Sequence, residues 1–213
     1  CLLEDHTRKS SSFVMMICVL LIMLIIVPLG LPADRTLAAV TVHPLATKAA
    51  EKAFKEGGNA VDAAVASALT LGVVDGFNSG IGGGCFMLIR KSDGEFIAID
   101  GRETAPSKAS RDMYLRDGIA KSELSQTGAL AIGIPGALAA YNLAINKYGN
   151  LAFAKLLRQA AMIADEGFLL DDSYLVRLKK VVNKLRLFPA SSQIFLDSKL
   201  IQLLNVTKFE YNG

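Results

Sequence analysis

Residues 13–27 (FVMMICVLLIMLIIV) form an unbroken apolar run, and no residue from Ser10 to Ala33 carries a charge. Such a segment has three fates: it spans a membrane, it is led across one, or it is buried in a core. Its flanks argue against the core. His6, Arg8 and Lys9 precede the run, the basic side that keeps a segment's amino end in the cytoplasm. Pro28, Gly30 and Pro32 break it, and small residues follow around Thr36-Leu37-Ala38-Ala39, where an export signal is cleaved near Ala38. The uncharged stretch also approaches the roughly 20 residues of a spanning helix, so it reads as either a cleaved signal or an uncleaved anchor. The chain then divides into a basic flank over 1–12, a signal or signal-anchor helix over 13–38, and a domain over 39–213. The expectation is an extracytoplasmic domain, periplasmic or secreted if the signal is cleaved and single-pass membrane-bound if not.

The apolar run also accounts for much of the mean hydropathy of +0.37, high for a soluble domain. At 52% hydrophobic and 20% charged, the 213 residues are far from the composition of a disordered chain. Basic and acidic side chains number 23 and 20, too balanced for a dedicated nucleic-acid binder. Three cysteines make no disulfide framework, and two histidines leave little for a zinc site.

From residue 39 onward the pattern is that of one continuous domain. Apolar spacing predicts a helix over Ala46 to Glu56, stopped by Gly57-Gly58, and a second over Ala60 to Leu71, capped by Asn59 and ended by Gly72. The second is alanine-rich nearly all round, as expected of a buried, closely packed helix. After the glycine-rich stretch Asn78 to Gly84, two apolar runs, Cys85 to Arg90 and Glu95 to Asp100, flank Ser92-Asp93-Gly94 and predict a hairpin. Further helices are expected over Gly136 to Lys147, Leu151 to Glu166 and Ser173 to Leu187, the last with Leu178, Val181, Val182 and Leu185 on its apolar face. Helices, a core hairpin and more helices suggest an α+β layered sandwich.

Several motifs are weighed and set aside. Gly80 and Gly82 begin a G-x-G pattern, but Cys85 holds its third position and the order is helix then strand, the reverse of a dinucleotide site. The loop is therefore structural, or lines a site without gripping phosphate. Arg177, Lys179, Lys180, Lys184 and Arg186 read as a solvated helix face, since no aromatics interleave them to stack bases. Cys85, beside the glycines, reads as a buried small residue rather than a reactive thiol. His43, beside Pro44, reads as a turn or packing residue, and Asn205-Val206-Thr207 matches a glycosylation sequon. Arg102 lies between Asp100 and Glu103 on a loop leaving a core strand. Its guanidinium either pairs with those neighbours or clamps a substrate carboxylate through two parallel hydrogen bonds.

Five blocks in order resemble the γ-glutamyltranspeptidase (glutathione hydrolase) family. They are Val42-His43-Pro44-Leu45-Ala46 through Gly57-Gly58-Asn59-Ala60-Val61-Asp62-Ala63-Ala64, Ser79 to Gly84, Asp100-Gly101-Arg102-Glu103-Thr104-Ala105-Pro106, Gly133-Ile134-Pro135-Gly136, and Glu166-Gly167-Phe168. The likeness spans roughly residues 40 to 170 and fades after about 190. It departs at Gly76-Phe77, where the family commonly has a proline-containing turn, and at Cys85, often glycine.

The resemblance implies an αββα sandwich of the amino-terminal-nucleophile hydrolase type, incomplete in this chain. It implies a precursor that cuts itself into large and small subunits. The new amino-terminal threonine of the small subunit attacks the γ-glutamyl amide of glutathione and related compounds, its own α-amine serving as base, and passes the acyl group to water or to an amino acid or peptide. The family's Thr-Thr-His processing motif is absent from these residues, so the chain matches the front of a large subunit, expected to be inactive alone, and no catalytic residue is assigned to it. Arg102 matches the arginine that binds the α-carboxylate of the γ-glutamyl group. No cofactor, metal or nucleic acid is implied. The partners are γ-glutamyl substrates, the small subunit and, if the signal persists, a membrane. Two alternatives remain: an inactive membrane-anchored relative acting as a binding or scaffold protein, and a cephalosporin-type acylase. A threonine-initiated subunit encoded downstream would separate the enzyme from the scaffold.

Overall fold

A computed structural model describes residues 37–196 and the backbone of Phe209–Glu210. The apolar run over 13–27 and the Asn205 sequon lie outside the described residues. Within them, no helix is long and apolar enough to cross a membrane.

Helix α1 (Pro44–Lys55) begins where Pro44 cannot donate and His43 caps, its Nδ1 accepting the Leu45 N–H at 3.1 Å. Ala46, Ala49, Ala50 and Ala53 form its buried stripe. The helix ends in a paired glycine motif: Gly57 N–H donates to Phe54 O, Gly58 N–H donates to Ala53 O, and Gly57 takes φ +88°. These are the bonds of a Schellman stop, which needs a residue free to adopt positive φ.

Helix α2 (Ala60–Val74) is the centre of the molecule, with Val61, Asp62, Ala63, Val65, Ala66 and Leu69 among its buried residues. Gly72 does not end it. A side chain there would meet Gly80 and Ile81 only at ordinary contact distance, and Val74 continues the helix into a second small core with Phe168, Leu170 and Leu175. Packing two residues further on outweighs the cost of one interior glycine. Nor is burial complete, since Ala64 is exposed and Ala68 half-buried.

Strands β1 (Cys85–Arg90) and β2 (Phe96–Gly101) pair antiparallel, from Cys85 opposite Gly101 to Arg90 opposite Phe96. Their inner face (Met87, Ile89, Ile97, Ile99) packs on α2 and on α3 (Ala137–Tyr148), while α4 (Phe153–Glu166) packs across α2. The outer face is also apolar: Phe86, Leu88 and Phe96 are 70%, 71% and 60% exposed. A sheet apolar on both faces is the inner layer of a sandwich, since a one-sided sheet alternates apolar with polar.

Between β2 and α3 the chain is irregular except for a small hairpin, β3 (Leu115–Arg116) and β4 (Ile119–Ala120). Its turn, Asp117-Gly118, has positive φ at both residues, the two-residue turn that matches strand twist. Strand β5 (Leu169–Leu170) pairs with β6 (Phe209–Glu210), and helices α5 (Asp172–Leu185) and α6 (Pro189–Phe195) complete the order. On α5 the buried residues are Leu175 and Leu178, whereas Val181 is 40% exposed. The apolar stripe turns inward only at the amino half of that helix, where β5 and Val74 meet it.

Candidate functional site

The site is a junction of three glycine-bearing segments that are distant in sequence. The Gly83 carbonyl accepts the N–H groups of Gly136 and Ala137, so the glycine loop satisfies two donors at the start of α3, which has no side-chain cap. Thr104 and Ile134 exchange both backbone hydrogen bonds. The backbones come so close that side chains are excluded. A Cβ on Gly136 would stand 2.4 Å from Gly101 O, and one on Gly101 would stand 2.6 Å from the Ala140 methyl. Gly84 is equally constrained, since a Cβ there would stand 2.6 Å from Glu103 Oε2 and 2.7 Å from Gly101 O.

Arg102 leaves the end of β2 at this junction with its side chain 68% exposed. Asp100 does not hold its guanidinium; the Asp100 carboxylate accepts the Arg102 backbone N–H at 2.9 Å and fixes the turn. Glu103 lies beneath, with Oε2 3.5 Å from Arg102 Nε. That oxygen is buried and accepts no hydrogen bond among the described residues, so the arginine is its charge partner at ion-pair rather than hydrogen-bond range. The guanidinium is thus paired through its Nε, and the side chain remains mostly exposed, as a group that receives a bidentate carboxylate must be.

Cys85 and Tyr141 lie beside the same junction. The thiol is half-buried and pushed above the ordinary thiol range, chiefly by burial and further by the negative charges of Asp100 and Glu103, with a hydrogen bond from Tyr141 opposing. The Tyr141 hydroxyl is pushed up to about 12, again mainly by burial. Both stay neutral near pH 7, so this thiol is packing, not a nucleophile.

A second anchor, which the sequence reading did not single out, underlies the Gly57 to Ala64 block. Asp62 is fully buried and accepts N–H donations from Asn59, Asn150 and Leu151. Asn59 caps α2 and donates its side-chain amide to Tyr148 O at 2.6 Å. Together they lock the α1–α2 corner to the α3–α4 corner. Asn59 followed three residues later by Asp62 was the available signal. Of the remaining candidates, His43 is the helix cap described, and the five basic residues of α5 and its carboxyl end are exposed. Among the described residues no cluster suits a metal ion. The larger described cavity, about 720 Å³, runs along the free edge of β1 past Ala64, Ala68, Met87 and Tyr148, and Arg102 does not line it.

Helices against one face of a hairpin whose other face is apolar define half of an αββα sandwich, the class of amino-terminal-nucleophile hydrolases. The family model described as Gamma-glutamyltranspeptidase matches residues 46–207, and the chain belongs to that family. The match runs past residue 190, where the sequence blocks thin out. The Escherichia coli (strain K12) glutathione hydrolase proenzyme is 45% identical over 140 residues, covering 65% of this chain and 24% of the relative. The crystal structure of Helicobacter pylori gamma-glutamyltranspeptidase superposes with a TM-score of 0.73 at 34% identity, covering 78% of this chain and 52% of that one. The Acylase ACY 1 proenzyme of Pseudomonas sp. (strain V22) is 42% identical, covering 61% of this chain and 24% of the relative. The chain therefore spans about a quarter of the length of these curated relatives and about half of the solved chain.

Proposed function

We propose that this chain is the amino-terminal part of the large subunit of a γ-glutamyl-transferring hydrolase, acting on glutathione and related γ-glutamyl amides. The observation that carries the reading is the placement of Arg102. Its guanidinium is exposed at the rim of the glycine junction and held from below by Glu103, and no other ion pair occupies it among the described residues. It receives the substrate α-carboxylate in two parallel hydrogen bonds, which orients the γ-amide toward a nucleophile supplied elsewhere. That nucleophile is the amino-terminal threonine of the small subunit from the same precursor. Its α-amine takes the hydroxyl proton as the acyl ester forms and passes it to the amine that departs when the amide C–N bond breaks. Water or an acceptor amine then takes the acyl group and frees the threonine. The apolar outer face of the hairpin supports this partner, because a second sheet would cover Phe86, Leu88 and Phe96. The export signal or anchor places the enzyme outside the cytoplasm, membrane-bound if the segment is retained.

The test is chromophore release from a γ-glutamyl anilide by the complete precursor. Arg102→Ala should raise KM at least about tenfold, the loss of a charge-assisted pair worth about 1.5–3 kcal/mol. Arg102→Lys should recover only part, since an ammonium keeps the charge but not the fork. An unchanged KM in Arg102→Ala refutes the clamp. The 42% identity to an acylase proenzyme favours one rival. Preferential turnover of a cephalosporin side-chain amide over the γ-glutamyl anilide would establish it.

A further inference from the structure

We propose that the exposed basic face of α5, continued through residues 186–188 toward α6, is a docking surface for an anionic phospholipid bilayer. Residues 173–196 carry five cationic side chains (Arg177, Lys179, Lys180, Lys184, Arg186) and no acidic one. All five are exposed, and none is ion-paired with a carboxylate among the described residues. Arg177 lies over the Phe77 ring at 5.9 Å and Arg186 reaches the Asn183 amide, so both side chains are held near the surface.

The distribution is directional. Leu175 turns into the small core with Val74 and Phe168, and Leu178 is buried on the same side of the helix. At about 100° per residue, Arg177, Lys180 and Lys184 fall within about 50° of the opposite direction. Asp75, Asp171 and Asp172 line the same cleft as Arg177 and Lys180 at the amino end of α5. By contrast, Lys179, Lys184 and Arg186 have no carboxylate partner among the described residues, and covering them with further polypeptide would bury unpaired cations. The face is therefore built for a partner that brings its own negative charge.

The kind of partner follows from what stands among the cations. Val176, Leu187 and Ile194 are 52%, 71% and 55% exposed, and Phe188 is 38% exposed. Exposed aliphatic side chains beside lysines suit the headgroup–acyl boundary, where the apolar groups enter and the charges meet phosphates. A polyanion such as nucleic acid offers nothing to the aliphatic groups.

The experiment is flotation of the complete protein with vesicles of phosphatidylcholine alone and of phosphatidylcholine mixed with phosphatidylglycerol. The amino-terminal apolar run and its basic flank are the same in wild type and variants, so comparing the ratio of the two partition coefficients between them isolates the α5 face. The wild type should favour the anionic vesicles, and high salt should abolish the preference. Each cation near the surface contributes about fivefold, so Arg177→Gln/Lys180→Gln/Lys184→Gln should lower the ratio about a hundredfold. The charge-conserving Arg177→Lys/Lys180→Arg/Lys184→Arg should keep it, which separates loss of charge from loss of fold. Val176→Ser/Leu187→Ser should weaken anionic-vesicle binding at low and high salt alike. Equal partitioning of the wild type onto both vesicles overturns the proposal. So does binding of a DNA duplex, rather than vesicles, with dependence on the same three charges, and so does full retention of binding in the serine variant. None of these outcomes bears on the anilide assay of Arg102.

Discussion

Truncating Asp62 should loosen one defined corner of the fold and leave the hairpin intact. The carboxylate accepts from three backbone donors: Asn59 N at 2.8 Å, Asn150 N at 2.9 and 3.1 Å, and Leu151 N at 3.0 Å. Asp62→Ala removes the acceptor and leaves three N–H groups without a partner, each costing about 1–3 kcal/mol when buried. Asn150 is exposed, so water recovers part of its bond. The expected loss is about 3–5 kcal/mol, a large share of the stability of an ordinary domain. Asp62→Asn keeps one acceptor oxygen and turns an amide N–H toward the donors, so it should lose about half as much. Hydrogen exchange on the complete protein reads the effect locally. A loss of 3 kcal/mol speeds exchange at the amides of Asn150 and Leu151 about 150-fold, while the amides pairing β1 with β2 change far less. Stability loss below about 1 kcal/mol, or unchanged protection at Asn150 and Leu151, would refute the assignment of Asp62 as the clasp between the two corners.

Other outcomes follow from the junction and its neighbours. Gly136→Ala places a methyl 2.4 Å from Gly101 O, so the Arg102 loop must shift. Anilide hydrolysis should show a raised KM, together with a stability loss of about 2 kcal/mol or more in urea titration; a variant with wild-type KM and midpoint would contradict the close approach. Cys85 should react with iodoacetamide along a pH profile whose midpoint lies above that of a free cysteine, because burial raises its pKa. A midpoint at or below the free-thiol value would mean the thiol is open to solvent. Cys85 and Tyr141 both have raised folded pKa values, so the stability they contribute is complete below the ordinary thiol and phenol ranges. It declines as pH rises through those ranges toward about 12. Alkaline unfolding of Tyr141→Phe should therefore begin at higher pH than that of the wild type.

Much of the local structure is legible in the residues themselves. Pro44 after His43, the Gly57-Gly58 stop, Asn59 before an alanine-rich run and Asp93-Gly94 between two apolar runs each act over a few residues, so the elements they bound lie where the pattern places them. The Asp117-Gly118 hairpin is not among the elements predicted from the residue pattern, although an Asp-Gly pair favours the positive φ that its turn uses. Where local pattern misleads, a distant segment has intervened. Gly72 reads as a helix stop, yet Val74 finds Phe168 and Leu170 nearly a hundred residues away, and their packing carries the helix on. Val181 fits the apolar spacing of α5, but among the described residues no second layer reaches it.

Residue pattern alone places helices around a hairpin of core strands and puts Arg102 on a loop beside two carboxylates. What those neighbours do becomes visible once the chain is folded. Asp100 binds backbone rather than guanidinium, Glu103 holds the arginine from below, and Asp62 joins corners some ninety residues apart. The folded chain also shows why the scattered glycines belong together: Gly84, Gly101 and Gly136 meet at one junction where a single Cβ would collide with the backbone or side chain of another segment. Local preference depends on neighbours along the chain, whereas close approach and buried charge depend on neighbours in space, which no short window of sequence contains.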